Sequence, residues 1–385
     1  MLRFMTAGES HGKALLAIVE GVVAGLELQA ETIDRDLARR QLGHGRGKRM
    51  SIEKDQVEIL SGVRFGRTMG NPIGLMIRNR DWPNWEKTMD AREEASDIAA
   101  LTRPRPGHAD LAGLMKYGHK DIRNVLERSS ARETAARVAV GAICKSLTAL
   151  LGVQIVSHVT RIGRAVAEGG QIPSADDMST IDASPVRCFD KSVEAAMVDE
   201  IDAAVSDKDT VGGVFEVIAY GCPPGLGSFA TWDGKLDGRI SRAITSIPAV
   251  KGVELGSAFE QAQSRGSVAQ DEIFYAPAGG FRRGTNRAGG LEAGVTNGEP
   301  LLVRAAMKPI PTLGKPLRTV DVESKAEATA FKERADVCAV PAAAVIAEAV
   351  VAIELAAAAV EKFGGDSAAD MVRSWESYRE RLRTM

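Results

Sequence analysis

Residues Thr102–Arg137 read TRPRPGHADLAGLMKYGHKDIRNVLERSSARETAAR, and the rest of the chain is organised around this stretch. Arg103 and Arg105 are each followed by proline, which fixes φ and stiffens the loop before it turns at Gly107 into His108. The stretch closes on Arg128-Ser129-Ser130-Ala131-Arg132-Glu133. Ser130 and Glu133 stand at capping-box spacing, and the Ala/Val-rich run behind them predicts a helix to Leu151 with a stop at Gly152. A helix start offers unpaired N–H groups and partial positive charge, so with Arg128 and Arg132 beside it the stretch suits a multiply charged anion. A capped surface helix with solvated arginines accounts for this stretch equally well when it is taken alone.

Working outward, the 385 residues fit one large domain or two ordinary ones. The chain carries 49 basic and 51 acidic residues, so bulk electrostatic binding of nucleic acid is not expected and the arginines matter only where they cluster. Four scattered cysteines (Cys144, Cys188, Cys222, Cys338) lack metal-ligand or redox spacing and suggest reduced, buried thiols in a cytoplasmic protein. The first residues, MLRFMTAGESHG, lack the apolar core of a signal peptide, and no run is expected to span a membrane. The Ala-rich segment 339–360 carries Glu348 and Glu354 and reads as a buried helix.

Ahead of the central stretch, Gly8-Glu9-Ser10-His11-Gly12 places a serine and a histidine between glycines, followed by a strand over Ala14–Glu20. Glu31 to Leu42 reads as an amphipathic helix with Thr32 as cap and Gly43 as stop. It leads Arg39-Arg40 into the basic loop Gly43-His44-Gly45-Arg46-Gly47-Lys48-Arg49, which suits a lid over an anion. Strands are expected at Val57–Val63 and Ile73–Arg78, then a packed loop holding Trp82 and Trp85. Beyond the stretch, strands are expected at Val153–Val159, Gly213–Tyr220 and Leu301–Met307, and a helix over Val193–Val205. Gly279 to Gly298 holds seven glycines with Arg282, Arg283 and Arg287, which reads either as a disordered loop or as one that orders over a ligand. Arg334-Ala335-Asp336 lies just ahead of the last long helix, which has Pro341 in its first turn. His11 and His108 stand out among five histidines because each sits in a turn bordered by glycine. With Asp336 and the arginines they point to proton transfer on a small phosphate- and carboxylate-bearing substrate. No clustered ligand pattern calls for a metal.

Several of these segments resemble the motifs of the chorismate synthase family: Gly8–Gly12, Arg103–Asp110, Glu127–Thr134 and Arg334–Asp336, together with Arg40–Gly47 and Ala249–Glu254. The resemblance is collinear from Arg3 to about Glu361. It implies an α+β fold, a β-α-β sandwich with helices packed between antiparallel sheets, in a single large domain assembled as a homotetramer. It also implies anti-1,4-elimination of phosphate from 5-enolpyruvylshikimate 3-phosphate to give chorismate, with reduced FMN as the required cofactor.

Carried over by position, the catalytic residues are His11, giving a proton to the departing phosphate, His108, bonding the reduced flavin, and Asp336, assisting its N5. Ser10, Arg40, Arg46, Arg105, Arg132 and Arg334 are implied to hold the substrate. Arg128, Ser129, Ser130, Pro248, Ala249, Ala293, Lys308, Pro309, Ile310, Pro311, Thr312 and Arg334 are implied to hold the cofactor. Pro248, Ala293 and Pro311 replace an amide residue, a glycine and a hydroxyl residue in the usual pattern, so backbone contacts are expected there. With no GxGxxG unit for NADPH, the expected partner is a separate flavin reductase or another source of reduced flavin, the alternative being a bifunctional enzyme. An RNA-binding module is the competing class, and steep salt-dependent retention on heparin would favour it.

Overall fold

The protein is described here from a computed structural model covering residues 1–47, 53–92, 98–168, 170–277, 280–333 and 335–385. In chain order its main elements are β1 (Arg3–Ala7), β2 (Ala14–Glu20), α1 (Ala30–Gln41), β3 (Val57–Ser61) and β4 (Ile73–Arg78). The central stretch follows as α2 (Asp110–Tyr117), α3 (Arg123–Ser129) and α4 (Thr134–Ala149). Then come β5 (Gln154–Ile162), α5 (Glu194–Ser206), β6 (Gly213–Tyr220), α6 (Leu236–Thr245), β7 (Val250–Leu255), β8 (Leu301–Met307), α7 (Val340–Phe363) and α8 (Ala368–Arg383).

Two antiparallel sheets flank the helices. The first has the order β1–β2–β4–β3, and the second runs β7–β8–β6–β5 with the short edge strand Ala165–Val166. Alternation decides which face of each sheet is buried: Leu15, Ala17 and Val19 of β2 point inward with Ile73, Leu75 and Ile77 of β4. The facing layer of the second sheet is Phe215, Val217 and Ala219 with Leu301, Val303 and Ala305. Between the sheets, α4 packs on α7, and one apolar core joins both sheets to both helices. Small residues set this spacing, since a Cβ on Gly141 of α4 would sit 2.3 Å from the Cβ of Ala349 on α7. This is the expected β-α-β sandwich.

The helix α7 is long and apolar enough to cross a membrane by composition, but it is a core helix, with 89% of its apolar window buried inside the protein. Glu348 and Glu354 are buried within it. Glu348 is surrounded by Arg39 (2.8 Å to each oxygen), Lys145 (2.6 Å) and Ser157 (2.6 Å). All four cysteines are free and buried, and burial pushes the Cys222 thiol up to about 12.

Some local expectations change. Thr32 is not the cap of α1, because the chain enters extended at Gln29 and Thr32 already lies in the first turn. At Ser130 only half of the capping box forms: Ser130 Oγ accepts from the Arg132 N–H at 3.3 Å, while Glu133 turns forward to Arg137. A short 3-10 turn, Ala131–Glu133, therefore precedes α4. The glycine-rich segment is not a disordered loop over its described residues. Asp271 ties it down by accepting from Thr285 Oγ1 and from the Arg287 and Ala288 N–H groups, and a hairpin pairs Ile273–Ala276 with Gly280–Arg283.

Candidate active site

The turn after β1, the end of α1, the residues before β3 and after β4, and the start of α4 converge at one end of the sandwich. In α1, Ile33, Leu37 and Arg40 share one stripe, so the packing that buries the two apolar residues also carries Arg40 inside. Arg40 Nη1 lies 3.3 Å from Asp55 Oδ2, its Nε donates to Thr134 Oγ1 at 3.1 Å, and its Nη2 donates to the Ala131 carbonyl at 3.3 Å. Arg132 uses the other side of the same carboxylate, at 2.6 Å from Asp55 Oδ1, and donates from Nε to Asn79 Oδ1 at 2.9 Å. Its Nη2 is buried with no hydrogen-bond partner. Glu53, itself buried, gives Arg132 a second carboxylate, its Oε2 lying 3.7 Å from Nη2. Burial chiefly, with Arg132 and Arg46 nearby and against the pull of Asp55, pushes Arg40 down to about 10.

His11 sits beside this pocket, buried. Its Nδ1 lies 2.8 Å from Glu127 Oε1, and Trp85 stacks on its ring with centroids 3.8 Å apart and planes at 18°. Ser10 Oγ lies 3.1 Å from Ser130 Oγ, which joins the glycine-flanked turn to the start of α4.

The rigid Arg-Pro loop forms the next wall. Buried Asp110 takes Arg105 through Nε at 2.9 Å and Nη2 at 3.1 Å, and His108 Nδ1 at 2.5 Å. Burial works to raise the Asp110 carboxyl, but hydrogen bonds from His108 and Arg105 overcome it and hold the group well below the usual range. Arg105 Nη1 reaches Thr312 Oγ1 at 3.1 Å and Glu333 Oε2 at 2.7 Å, and Lys308 Nζ donates to the Gly107 carbonyl at 2.9 Å. Lys308–Thr312 therefore faces Gly107–His108, with Ala249 alongside, since its carbonyl accepts the Lys308 N–H at 3.0 Å. Asp336 closes the remaining side by taking Arg46 Nη1 at 2.5 Å and the Gly47 N–H at 2.7 Å.

The residues singled out from sequence thus fall into two sets: Ser10, His11, Ser130, Arg40, Arg132, Arg46 and Asp336 in one, and Arg105, His108, Lys308 and Thr312 in the other. Arg128 is exposed at the edge, its guanidinium donating to the Thr6 and Gly8 carbonyls, and the Ser129 hydroxyl turns back to Val125. Arg103 stays outside near Asp321. Ala293 is in neither set. Lys235 at the start of α6 donates to its carbonyl, whereas Pro248–Ala249 follow the other end of that ten-residue helix, about 15 Å along its axis. Arg334, Lys48 and Arg49 lie outside the described residues. The sequence reading missed Asp55, Asn79 and Trp85, and it quoted Asp110 and Glu127 inside motifs without giving them roles.

Buried arginines held by carboxylates, with two carboxylate-held histidines, form a set of groups chemically matched to a small polyanion. The chorismate synthase family model matches residues 2–360. A chorismate synthase from Desulforudis audaxviator is 57% identical over 100% of this chain and 98% of its own length. One from Salinispora tropica is 56% identical over 99% of both. A solved structure titled "Crystal Structure of Chorismate Synthase" superposes with a TM-score of 0.81 at 42% identity, covering 100% of this chain and 99% of that one. The chain belongs to the chorismate synthase family and with it to the carbon–oxygen lyases acting on phosphates.

Proposed function

We propose that this chain eliminates phosphate and a proton from 5-enolpyruvylshikimate 3-phosphate in an anti-1,4 sense to give chorismate, and requires reduced FMN to do so. The observation that carries the reading is the buried Arg40–Asp55–Arg132 arrangement beside His11, in which Arg132 Nη2 makes no hydrogen bond and faces Glu53 only at 3.7 Å, leaving a donor for the substrate. In this reading Arg40, Arg46, Arg105, Arg132 and Arg334 hold the substrate's phosphate and carboxylates with Ser10. His11 gives its proton to the departing phosphate, so that the leaving group departs less charged.

The residues present also fit a flavin mononucleotide. Lys308 brings a cation to the Gly107 carbonyl, and Pro311 adds an apolar surface whose Cβ would lie 3.5 Å from a Cβ on Gly107. When bound, reduced flavin supplies the electron density and the basic N5 that the elimination needs. His108 would offer a hydrogen bond to the ring and Asp336 would help hold its N5 edge. Ser129, Ser130, Arg128, Arg334 and Pro248-Ala249 complete its contacts.

The outer face of the first sheet exposes Met5, Leu16, Ile18 and Leu60, which supports a homotetramer. An Ala293 contact to flavin would then come from a neighbouring protomer. We further propose that the whole chain works as one domain, in the cytoplasm, with flavin reduced by a separate reductase.

The test is an anaerobic assay with 5-enolpyruvylshikimate 3-phosphate and chemically reduced FMN, following chorismate absorbance and phosphate release. A parallel reaction holds oxidised FMN and NADPH only. Turnover in the first alone supports the reading, turnover in both shows an intrinsic reductase, and turnover in neither with folded protein rejects it.

A further inference from the structure

Glu127, buried at the end of α3, holds His11 twice. Its Oε2 accepts from the His11 backbone N–H at 2.7 Å, and its Oε1 faces the ring Nδ1 at 2.8 Å. Its own carbonyl takes the Ser10 N–H at 3.0 Å. Trp85 covers one face of the imidazole, with its indole N–H anchored on Asp81 at 3.1 Å. The turn does not depend on Glu127 alone, because Asn79 Nδ2 donates to the Glu9 and Gly12 carbonyls at 3.0 and 2.7 Å.

A carboxylate only accepts, so the ring nitrogen that faces it carries a hydrogen. The hydrogen bond at one imidazole nitrogen then decides what the other can do. We propose that Glu127 is a positioning residue that pins a hydrogen on His11 Nδ1 and reserves Nε2 as the nitrogen that exchanges a proton with the substrate. The catalytic half of this inference rests on the reaction proposed above; the tautomer half does not. Trp85 supports the same orientation by stopping the ring from flipping out of plane.

Glu127→Gln separates this role from simple packing because it keeps size and shape. The amide has one acceptor oxygen for two donors. The backbone N–H of His11 cannot change its role and the imidazole can, so the amide NH2 turns to Nδ1 and the neutral ring moves its hydrogen to Nε2.

Long-range nitrogen–proton NMR on protein labelled at its five histidines reads this directly, with His11 assigned through His11→Asn. At a pH where the ring is neutral, the expected result is an Nδ1–H ring in the unaltered protein and an Nε2–H ring in Glu127→Gln. The proton given to phosphate is a second one, carried on Nε2 by the charged ring that the Glu127 carboxylate stabilises and the amide does not. In the chorismate assay kcat should fall by at least about 10²-fold with little change in KM, as when a buried carboxylate partner of a catalytic histidine is neutralised. In a His11→Ala background the same change should cost less than about threefold, since the two residues act as one unit.

An unaltered tautomer in Glu127→Gln, or an equal loss in the His11→Ala background, overturns the proposal. Should the unaltered chain fail to turn over, the proposed reaction falls, and the NMR comparison still decides the role of Glu127.

Discussion

Arg39 and Arg40 are adjacent in α1 and reach opposite interiors. Arg39 forks onto Glu348 in the middle of the helix layer, at 2.8 Å to each oxygen, while Arg40 reaches Asp55 and Thr134 at the active-site end. One turn of helix thus links the buried charge network to the candidate site, and the two arginines should fail differently when altered.

The network makes the fold acid-sensitive. Burial works to raise the Glu348 carboxyl, but Arg39 and Lys145, with Arg187 behind them, hold it far below its ordinary 4.5. A depressed folded-state value contributes stability above the unfolded value and loses it as pH falls through the range below 4.5. Urea midpoints should therefore decline between pH 5 and pH 3. Glu348→Gln should flatten that acid limb and, by stranding buried cations, destabilise the protein at pH 7 by about 3–5 kcal/mol. An acid limb of unchanged slope in Glu348→Gln would remove Glu348 as its cause.

Arg132→Lys keeps the charge and loses the fork that spans Asp55 and Asn79. The kcat/KM for 5-enolpyruvylshikimate 3-phosphate should drop about 10²-fold, the scale of about 2–5 kcal/mol for breaking a buried hydrogen-bonded charge pair. Steady-state kinetics at saturating reduced FMN will show it, and a change below threefold would mean Arg132 does not meet the substrate.

Trp85 stacks on His11, so an anion arriving at the pocket should change the indole's surroundings. Substrate added without flavin should alter tryptophan emission, and Trp85→Phe should abolish most of that change although three other tryptophans remain. A signal of equal size in the variant would place the reporting residue elsewhere.

Gly141→Ala sets two effects against each other. Alanine gains up to about 1 kcal/mol of helix propensity over glycine. The new Cβ, however, would meet Ala349 Cβ at 2.3 Å and its backbone Cα at 2.5 Å, neither of which is a flexible side-chain end. Overpacking should win, with a net loss of about 1–3 kcal/mol in urea unfolding.

The sandwich and much of the pocket were readable before the structure because they follow local rules. Short apolar runs marked β2, β4, β6 and β8, and alternation marked β5. The Ile33, Leu37 and Arg40 stripe belongs to a recognisable amphipathic helix, and glycine-bordered turns drew attention to His11 and His108. Asp55 and Asn79 escaped because their importance lies in pairing with Arg132, 77 and 53 residues away, and nothing in their own surroundings announces it. Trp85 looked like a packing residue for the same reason. The glycine-rich segment misled because composition does not reveal Asp271, which ties the loop from outside it. Ala293 was assigned by resemblance alone, and only the course of α6 shows how far it lies from Pro248.

The close approach of Gly141 to Ala349 also acts as a thickness gauge. One wall of the cleft hangs from the ends of the first sheet, at His11, Asp55 and Asn79, and the other from the ends of the second, at Ala249 and Lys308. The paired helices lie between those sheets, so their separation sets the width of the gap between the walls. A methyl group added deep in the core would widen the gap between His11 on one side and Lys308 on the other.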